Sequence, residues 1–273
     1  MVQADELNSG DAEALSPFPA VRTVNVGHPF MWLARGVGDI RHNPLPSLFY
    51  GSCFALMAYV MTIVFHHAYE YLAALISGFL LVGPSLAMGL YEISRRHEQN
   101  KICHLGPTLF VWRRNLSNVG IFSVVLGIIF LLWARASLVT FALFYTHEIP
   151  KITEFLTDVV TFDNIDFLAI YAGVGLIFAT ISFAISVVSI PLMLDRNQDA
   201  ITAMIASVIA LIRNPGTMVV WALIIVTATI IGFATFYLGL IVLIPMIGHA
   251  TWHAYRDIVE PLPTMPQATN IRP

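Results

Sequence analysis

Long apolar runs separated by short polar stretches dominate the chain between about residues 45 and 255. A helix needs about 20 mostly apolar residues to cross the hydrocarbon core of a membrane. The runs are continuously apolar and do not alternate, so they predict helices and not barrel strands. Six spans are predicted: Leu45–Phe65, Tyr71–Tyr91, Leu116–Ala134, Phe167–Leu194, Met218–Gly232 (running on from Pro215) and Phe233–Tyr255.

Two boundaries stay open at this point. The last two spans nearly touch at Gly232, so either a tight hairpin joins them or the final span begins one turn later. Arg135 interrupts the third apolar region, which is apolar again from Ala136 to Tyr145. Either one long helix continues through Arg135, or the span ends near Ala134 and the rest lies at the membrane surface.

Composition supports a membrane protein and excludes other classes. Of 273 residues, 57% are hydrophobic and 11% are charged, whereas a soluble domain carries about 25% charged residues. A net charge of −3 without a basic face argues against nucleic-acid binding. Cys53 and Cys103 are too few for a disulfide framework or a four-cysteine zinc site. The predicted fold is an all-α, polytopic membrane helix bundle.

Polar tails flank the predicted membrane domain, which covers residues 28–257. Residues 1–27 are expected to form a solvated N-terminal tail and not a signal peptide, because no basic stretch and apolar core begin the chain. Residues 258–273 form a second, proline-rich tail.

Basic residues predict the orientation of the spans. With six spans, 12 of the 14 Lys and Arg residues fall on one side, and Lys151 and Arg135 are the exceptions. Positive charge marks the cytoplasmic side, so both termini are expected there and the acidic loop 146–166 outside. A bacterial inner (plasma) membrane is the expected location.

Two amphipathic stretches precede spans in the same way. The stretch Pro29–Asn43 has Phe30, Leu33, Val37 and Ile40 at helical spacing, and Ala200–Asn214 resembles it. Both predict helices at the membrane surface. Each ends in Asn-Pro, at Asn43-Pro44 and Asn214-Pro215. We expect the Asn side chain to cap the following span and the Pro to occupy its first position.

A shorter middle copy opens at Gly106-Pro107 and ends at Asn115 before the third span. The three stretches suggest three modules of surface helix, span and span, at about 28–96, 106–196 and 199–257. Each module has a proline late in its second span, at Pro84, Pro191 and Pro245. Such prolines mark either ordinary kinks or broken helices like those that line transporter sites. Small residues four apart in the third surface helix, Ala203 with Ser207 and Ala206 with Ala210, favour close helix packing.

The densest polar and aromatic cluster lies near the end of the last span. His249 and His253 are one helical turn apart and could ligate a metal, although the Glu of a His-Glu-x-x-His motif is missing. The alternative is an interfacial belt in which Trp252 and its neighbours anchor the helix end among lipid headgroups. Haem ligation near one surface, for example by His97 with His249, is a further alternative.

Charged residues at the span ends predict ion pairs. Glu92 and Arg96 are spaced i, i+4 in the favoured orientation, and Arg256 and Asp257 repeat the theme. We expect a ring of ion pairs that joins the modules at the cytoplasmic end. The sequence contains no phosphate-binding loop and no Gly-x-Ser-x-Gly motif.

A longer string of residues carries a resemblance. It comprises Ser189–Arg196, Asp199–Met204, Asn214-Pro215 and Gly248–Asp257, the last reading GHATWHAYRD. These segments resemble the bacterial integral-membrane family known as domain of unknown function 2189, over about Val21 to Glu260. The resemblance implies a six-span inner-membrane protein. Members are in some cases labelled as linked to respiratory oxidases.

The functional expectation is a non-enzymatic protein without a cofactor. It would be embedded in the lipid bilayer as an accessory or assembly partner of a larger membrane complex, such as a respiratory one. The alternatives are a carrier or channel for a small solute, and a haem- or metal-binding membrane protein.

Overall fold

The structure, a computed structural model, describes residues 19–67, 71–144 and 164–261, without the side chains of residues 72–74 and 81. Most of the predicted acidic loop 146–166 and most of both predicted tails lie outside the described residues. The helices are α1 His28–His42, α2 Pro44–His67, α3 Leu72–Glu98, α4 Leu105–Leu109, α5 Leu116–Phe144, α6 Ile165–Ser186, α7 Ser189–Arg196, α8 Ala200–Arg213, α9 Pro215–Ala234 and α10 Leu240–Ile258, with a 3₁₀ turn at Val111–Asn115.

The prediction of an all-helical, polytopic bundle is confirmed. Five segments of the described chain are long and apolar enough to cross a membrane: Pro44–His67, Leu75–Glu98, Leu105–Phe144, Ile165–Arg196 and Pro215–Ala234. The sixth predicted span corresponds to α10, which is not among these five because its second half is polar. α10 nevertheless returns the chain to the end at which α9 begins, since Val259 pairs with Val21 and Asn214 bonds Val24, and a sixth crossing stays a prediction. A turn at residues 235–239 precedes α10, so the final helix begins later than Gly232, as one of the two alternatives expected.

The third apolar region forms one continuous helix. α5 runs through Arg135, whose side chain is exposed, and ends at Phe144. Its 29 residues extend about 43 Å at 1.5 Å per residue, which exceeds the roughly 30 Å hydrocarbon core. One end of α5 therefore extends beyond the hydrocarbon.

The predicted span Phe167–Leu194 is broken into α6 and α7. Pro191 has no N–H to give the Val187 carbonyl, and its ring crowds that carbonyl, so the helix opens at residues 187–188. Ser207 of α8 bridges the break: its hydroxyl donates to the Ala184 carbonyl (2.7 Å) and accepts from Val188 N–H (3.4 Å). By contrast, Pro84 and Pro245 lie inside continuous helices.

The surface helix α8 packs closely on α6 and α7 through its small residues. All four predicted positions are fully buried, namely Ala203, Ala206, Ser207 and Ala210. Isoleucines on its opposite face are exposed. This division gives α8 the amphipathic character that the sequence predicts.

Residues 20–24, predicted as part of a solvated tail, instead pack across the end of the bundle. Val21 pairs with Val259. The Asn214 side chain accepts a hydrogen bond from Val24 N–H (2.7 Å) and donates to the Arg22 carbonyl (2.9 Å). The prediction that Asn214 caps α9 is therefore wrong, since no side-chain cap forms, although Pro215 does occupy the first turn of that helix.

The inward face of α1 differs from the predicted apolar stripe. Trp32, Gly36 and Asp39 are buried, whereas Phe30 is exposed. In a membrane protein, apolar side chains can face lipid, so the most apolar face of a helix is not always the face that packs on other helices. The buried face packs on α10, which also packs on α2 and α3.

Glycines let α10 approach its neighbours at backbone distance. A Cβ built on Gly36 would lie 2.8 Å from the Met246 carbonyl oxygen and 2.9 Å from Ala250 N. A Cβ on Gly51 of α2 would overlap the carbonyl of Ile241. Backbone atoms cannot move aside as side chains can, so both positions require glycine.

We predict that Gly36→Ala lowers the thermal unfolding midpoint in detergent, because the added methyl group meets the α10 backbone and overpacking costs about 1–3 kcal/mol. Gly38→Ala on the same helix is the matched control, since nothing lies within 4 Å of its Cβ position. Alanine there should be neutral or stabilising by about 0.5–1 kcal/mol. Equal midpoints for the two variants would contradict the close approach.

Candidate functional site

A buried polar cluster lies where α1, α2, α3 and α10 meet. It consists of Asp39, Ser47, Ser94, His97, His249 and His253, which we call the Asp39 cluster. Asp39 is only 2% exposed. Burying a carboxylate is costly unless hydrogen-bond donors surround it, so its partners decide whether this arrangement is stable.

Donors from two helices surround the Asp39 carboxylate. Oδ1 lies 2.6 Å from His97 Nδ1, and Oδ2 accepts the Ser94 hydroxyl at 2.6 Å. Oδ2 also lies 3.0 Å from His253 Nε2 on α10. Both oxygens of Asp39 are thus engaged, and one side chain links α1 to α3 and α10.

His249 lies between two serine hydroxyls in the centre of the cluster. Its Nδ1 is 2.7 Å from Ser94 Oγ, and its Nε2 is 2.9 Å from Ser47 Oγ. Ser94 gives its hydrogen to Asp39, so Ser94 Oγ accepts the Nδ1–H of His249. Ser47 is within reach both of His249 Nε2 and of the Asn43 carbonyl (2.7 Å). The chain of contacts therefore extends from Asp39 to the junction between α1 and α2.

The donors lower the pKa of the Asp39 carboxyl. Burial by itself would raise this pKa, and hydrogen bonds from His253, Ser94 and His97 oppose it, together with the nearby His249. The donors prevail and hold the pKa of Asp39 at about 2. Asp39 is therefore ionised at neutral pH.

Ion pairs surround the Asp39 cluster at the same end of the bundle. Glu92, 2% exposed, lies 2.8 Å from Arg96 Nε and 3.2 Å from Arg95 Nη1. Arg95 Nε also lies 3.3 Å from Asp195 Oδ1. These pairs link α3 to α7, and thus join two of the three predicted modules.

Arg256 joins the third predicted module to the other two. Its guanidinium lies 3.3 Å from Glu98 Oε2 and 3.4 Å from Asp195 Oδ2. Asp257 beside it accepts from Trp32 Nε1 (2.9 Å) and Arg35 Nη1 (3.0 Å) on α1. The ends of α1, α3, α7 and α10 are therefore joined by side chains of opposite charge.

Trp252 and Tyr255 do not form an interfacial belt. Both side chains are fully buried among core residues. The Tyr255 hydroxyl donates to Asp195 Oδ2 at 2.8 Å. The belt interpretation is corrected because this end of α10 is covered by α1, α3 and α7, and does not face lipid headgroups.

The predicted metal and haem ligands all lie in the Asp39 cluster. Both ring nitrogens of His249 face serines, while His97 Nδ1 and His253 Nε2 face Asp39. No group of three or more His, Cys, Asp or Glu side chains in the described ranges is arranged to hold a metal ion. A metal bound by His249 and His253 stays a prediction that these contacts do not favour.

One side of the cluster reaches a surface pocket. A pocket of about 340 Å³ is lined by His42, His97, Lys101 and Cys103, among others. The His97 side chain is 32% exposed and stacks at 4.3 Å on His42. His97 thus separates Asp39 from solvent, whereas Ser47 and His249 have no exposed surface.

Sequence reasoning missed Asp39, Ser47 and Ser94. A usable signal was present in α1, where Trp32, Gly36 and Asp39 recur at i, i+4 and i+7. A charged residue on a stripe with Trp and Gly indicates a face that packs against another helix. Nothing local marks Ser47 and Ser94, whose partner His249 is more than 150 residues away.

Comparison with known proteins supports the family resemblance over part of the chain. A model of the family described as "Predicted integral membrane protein", domain of unknown function 2189, matches residues 72–195. No curated protein and no solved structure matches the chain. The matched range contains Glu92, Ser94, His97 and Asp195, but not Asp39 or the string Gly248–Asp257 on which the resemblance partly rested. The chain is a multi-pass integral membrane protein.

We predict that Asp39→Asn lowers the free energy of unfolding by about 3–5 kcal/mol, because it removes the charge that two histidines and a serine face in a buried site. Glu98→Gln is the matched control, since its partner Arg256 is 41% exposed and an exposed pair contributes about 0–1 kcal/mol. Chemical unfolding in detergent measures both. Similar losses in the two variants would show that Asp39 contributes no more than a surface ion pair.

The low pKa of Asp39 predicts a pH dependence. A carboxyl whose pKa is lower in the folded state stabilises the protein above its unfolded pKa, and that contribution disappears as the pH falls through its folded pKa. The shift from 3.8 to about 2 corresponds to about 2 kcal/mol. The difference in unfolding free energy between the natural chain and Asp39→Asn should shrink between about pH 4 and pH 2. A difference that is constant across this interval would refute the assignment.

Proposed function

We propose that this protein is a non-enzymatic accessory or assembly partner of a larger membrane complex, and that it binds its partner laterally within the bilayer. The observation that carries the proposal is that the other helices of the chain bury only a small share of each candidate span. Only 17% to 41% of the residues in the apolar stretch of each candidate span are buried.

The polar groups near the Asp39 cluster have partners within the protein, and this supports the same proposal. The hydroxyls, imidazoles and carboxylate of the Asp39 cluster bind one another, and the surrounding charges form ion pairs. A catalytic site needs a nucleophile or base that a substrate can reach. Ser47, which resembles a nucleophile next to His249, is fully buried. The side chains that face outward along the described spans are mainly apolar.

The cavities at membrane depth give less support to the carrier alternative. A polar cavity between modules would favour a carrier. The described grooves between α3, α5 and α6, and between α6 and α9, are instead lined mainly by apolar side chains. A polar solute would have to leave water without compensating hydrogen bonds there.

We also propose that the end of the bundle with the Asp39 cluster faces the cytoplasm of a bacterial cell. Arg22, Arg95, Arg196, Arg213 and Arg256 have polar partners at this end. Positive charge accumulates on the cytoplasmic side of membrane proteins. The first and last described residues lie together here, since Val21 pairs with Val259, so both termini would be cytoplasmic.

Site-specific photocrosslinking in intact membranes tests the accessory role. A photoreactive amino acid is placed in turn at Leu56 of α2, Leu131 of α5 and Ile230 of α9, each about 60% exposed. We predict a discrete protein adduct from one of these faces and lipid adducts from the others, because a lateral partner covers one side of the bundle.

Two controls accompany this measurement. Omitting irradiation must remove the adduct, and size analysis in mild detergent must show the chain in a particle larger than itself. The proposal fails if all three positions give lipid adducts alone and the purified chain runs by itself.

A further inference from the structure

The 3₁₀ turn between α4 and α5 presents two arginines side by side. Val111 and Asn115 are buried at its two ends, whereas Arg113 and Arg114 are exposed. The Asn115 side chain donates to the Gln198 carbonyl at 3.1 Å. The turn is therefore fixed to the connection between α7 and α8, and its two neighbouring guanidinium groups have a defined position at this end of the bundle.

Neither arginine forms an ion pair with a described carboxylate. The network beside the turn contains three carboxylates and three guanidinium groups, namely Glu92, Glu98 and Asp195 with Arg95, Arg96 and Arg256. The charges of this network balance each other. The sequence also has no Asp or Glu between Gln99 and His147. Arg113 and Arg114 are thus a local surplus of positive charge.

Arg113 is oriented by aromatic rings and keeps its hydrogen-bond donors free. Its Cζ atom lies 4.7 Å from the centre of the Phe110 ring and 5.5 Å from that of the Trp112 ring. An aromatic ring attracts the flat face of a guanidinium group, whereas the five N–H donors lie in the plane of that group. Such a guanidinium can bind a phosphate through two parallel hydrogen bonds.

The length of α5 places the two arginines at the edge of the hydrocarbon core. α5 begins at Leu116, and Leu116 and Val124 are exposed apolar side chains of this span. Arg114 and Arg135 are separated along the chain by a helical length of about 30 Å, which equals the thickness of the hydrocarbon core. Arg113 and Arg114 therefore lie at one boundary of the core, where the lipid headgroups begin.

A small pocket beside Arg114 leaves room for a headgroup. Its volume is about 270 Å³, and Arg95 and Asn197 also line it. The pocket contains one carboxylate, Asp195, which is already paired with Arg95 and Arg256. An anion in the pocket would therefore meet the free guanidinium of Arg114 and would face no unpaired negative charge.

We propose that Arg113 and Arg114 bind the phosphate of an anionic phospholipid in the leaflet at this end of the bundle. Basic residues next to a span attract anionic lipids, and basic pockets between spans bind their headgroups. A zwitterionic lipid has the same phosphate, but its cationic group offsets the attraction. This inference goes beyond the proposed function, because it requires no protein partner and applies to either orientation of the chain.

The test measures lipid binding to the full chain in detergent by native mass spectrometry. Phosphatidylglycerol and phosphatidylcholine with identical acyl chains are titrated separately, so that only the headgroup differs. We expect phosphatidylglycerol to bind about 30-fold more tightly, which corresponds to about 2 kcal/mol, or about 1 kcal/mol for each arginine.

Two double variants form the matched pair. Arg113→Gln with Arg114→Gln should lower the affinity for phosphatidylglycerol about 30-fold and leave that for phosphatidylcholine unchanged. Arg41→Gln with Arg135→Gln removes the same charge from two other exposed arginines that have no ion pair among the described residues, and it should leave both affinities unchanged. Arg114→Gln alone replaces the first variant if that variant does not fold, with an expected loss of about fivefold.

Three outcomes would overturn the proposal. The first is equal affinity for the two lipids. The second is an equal loss of phosphatidylglycerol binding in the two double variants, which would show that net charge and not this turn attracts the lipid. The third is release of bound phosphatidylglycerol by inorganic phosphate at constant ionic strength, which would assign the turn to a soluble phosphate.

Discussion

The buried Asp39 carboxylate is the interaction on which the rest of this structure depends. A charge in this position is tolerable only while its donors remain in place. Ser94 and His97 come from α3 and His253 comes from α10, so one side chain fixes three helices relative to one another. The contact of Gly36 with Ala250, one helical turn from His253, keeps α10 close enough to α1 for His253 to reach the carboxylate.

Much of the fold could be predicted because hydropathy and proline operate locally. The stretch Pro29–Asn43 became α1, which ends at His42, and Ala200–Asn214 became α8, which ends at Arg213. Each span then begins at the proline, which suits a first helical position. A surface helix followed by two spans occurs in α1, α2 and α3, and the repetition of this order in three modules stays a prediction. The sequence predicted the whole of α10 as a lipid-facing span. Its polar second half is instead covered by other helices and not by lipid.

The candidate site was less predictable because its contacts join distant residues. The spacing of Glu92 and Arg96 marks a pair within one helix. His249 and His253 are unusual residues in an apolar helix, but Asp39, which they lie beside in the structure, is more than 200 positions away in the sequence. Asn214 shows the same limit. Its local role would be a helix cap, and tertiary contacts with residues 22–24 take its side chain instead.

A double-mutant cycle between Asp39 and His253 tests the central claim most directly, since it isolates the interaction between α1 and α10. Unfolding free energies are measured in detergent for Asp39→Asn, His253→Gln and the double variant. The account predicts a coupling energy of about 1–3 kcal/mol, because each residue is stabilising only in the presence of the other. Effects that add within about 0.5 kcal/mol would show that Asp39 does not hold α10 in place.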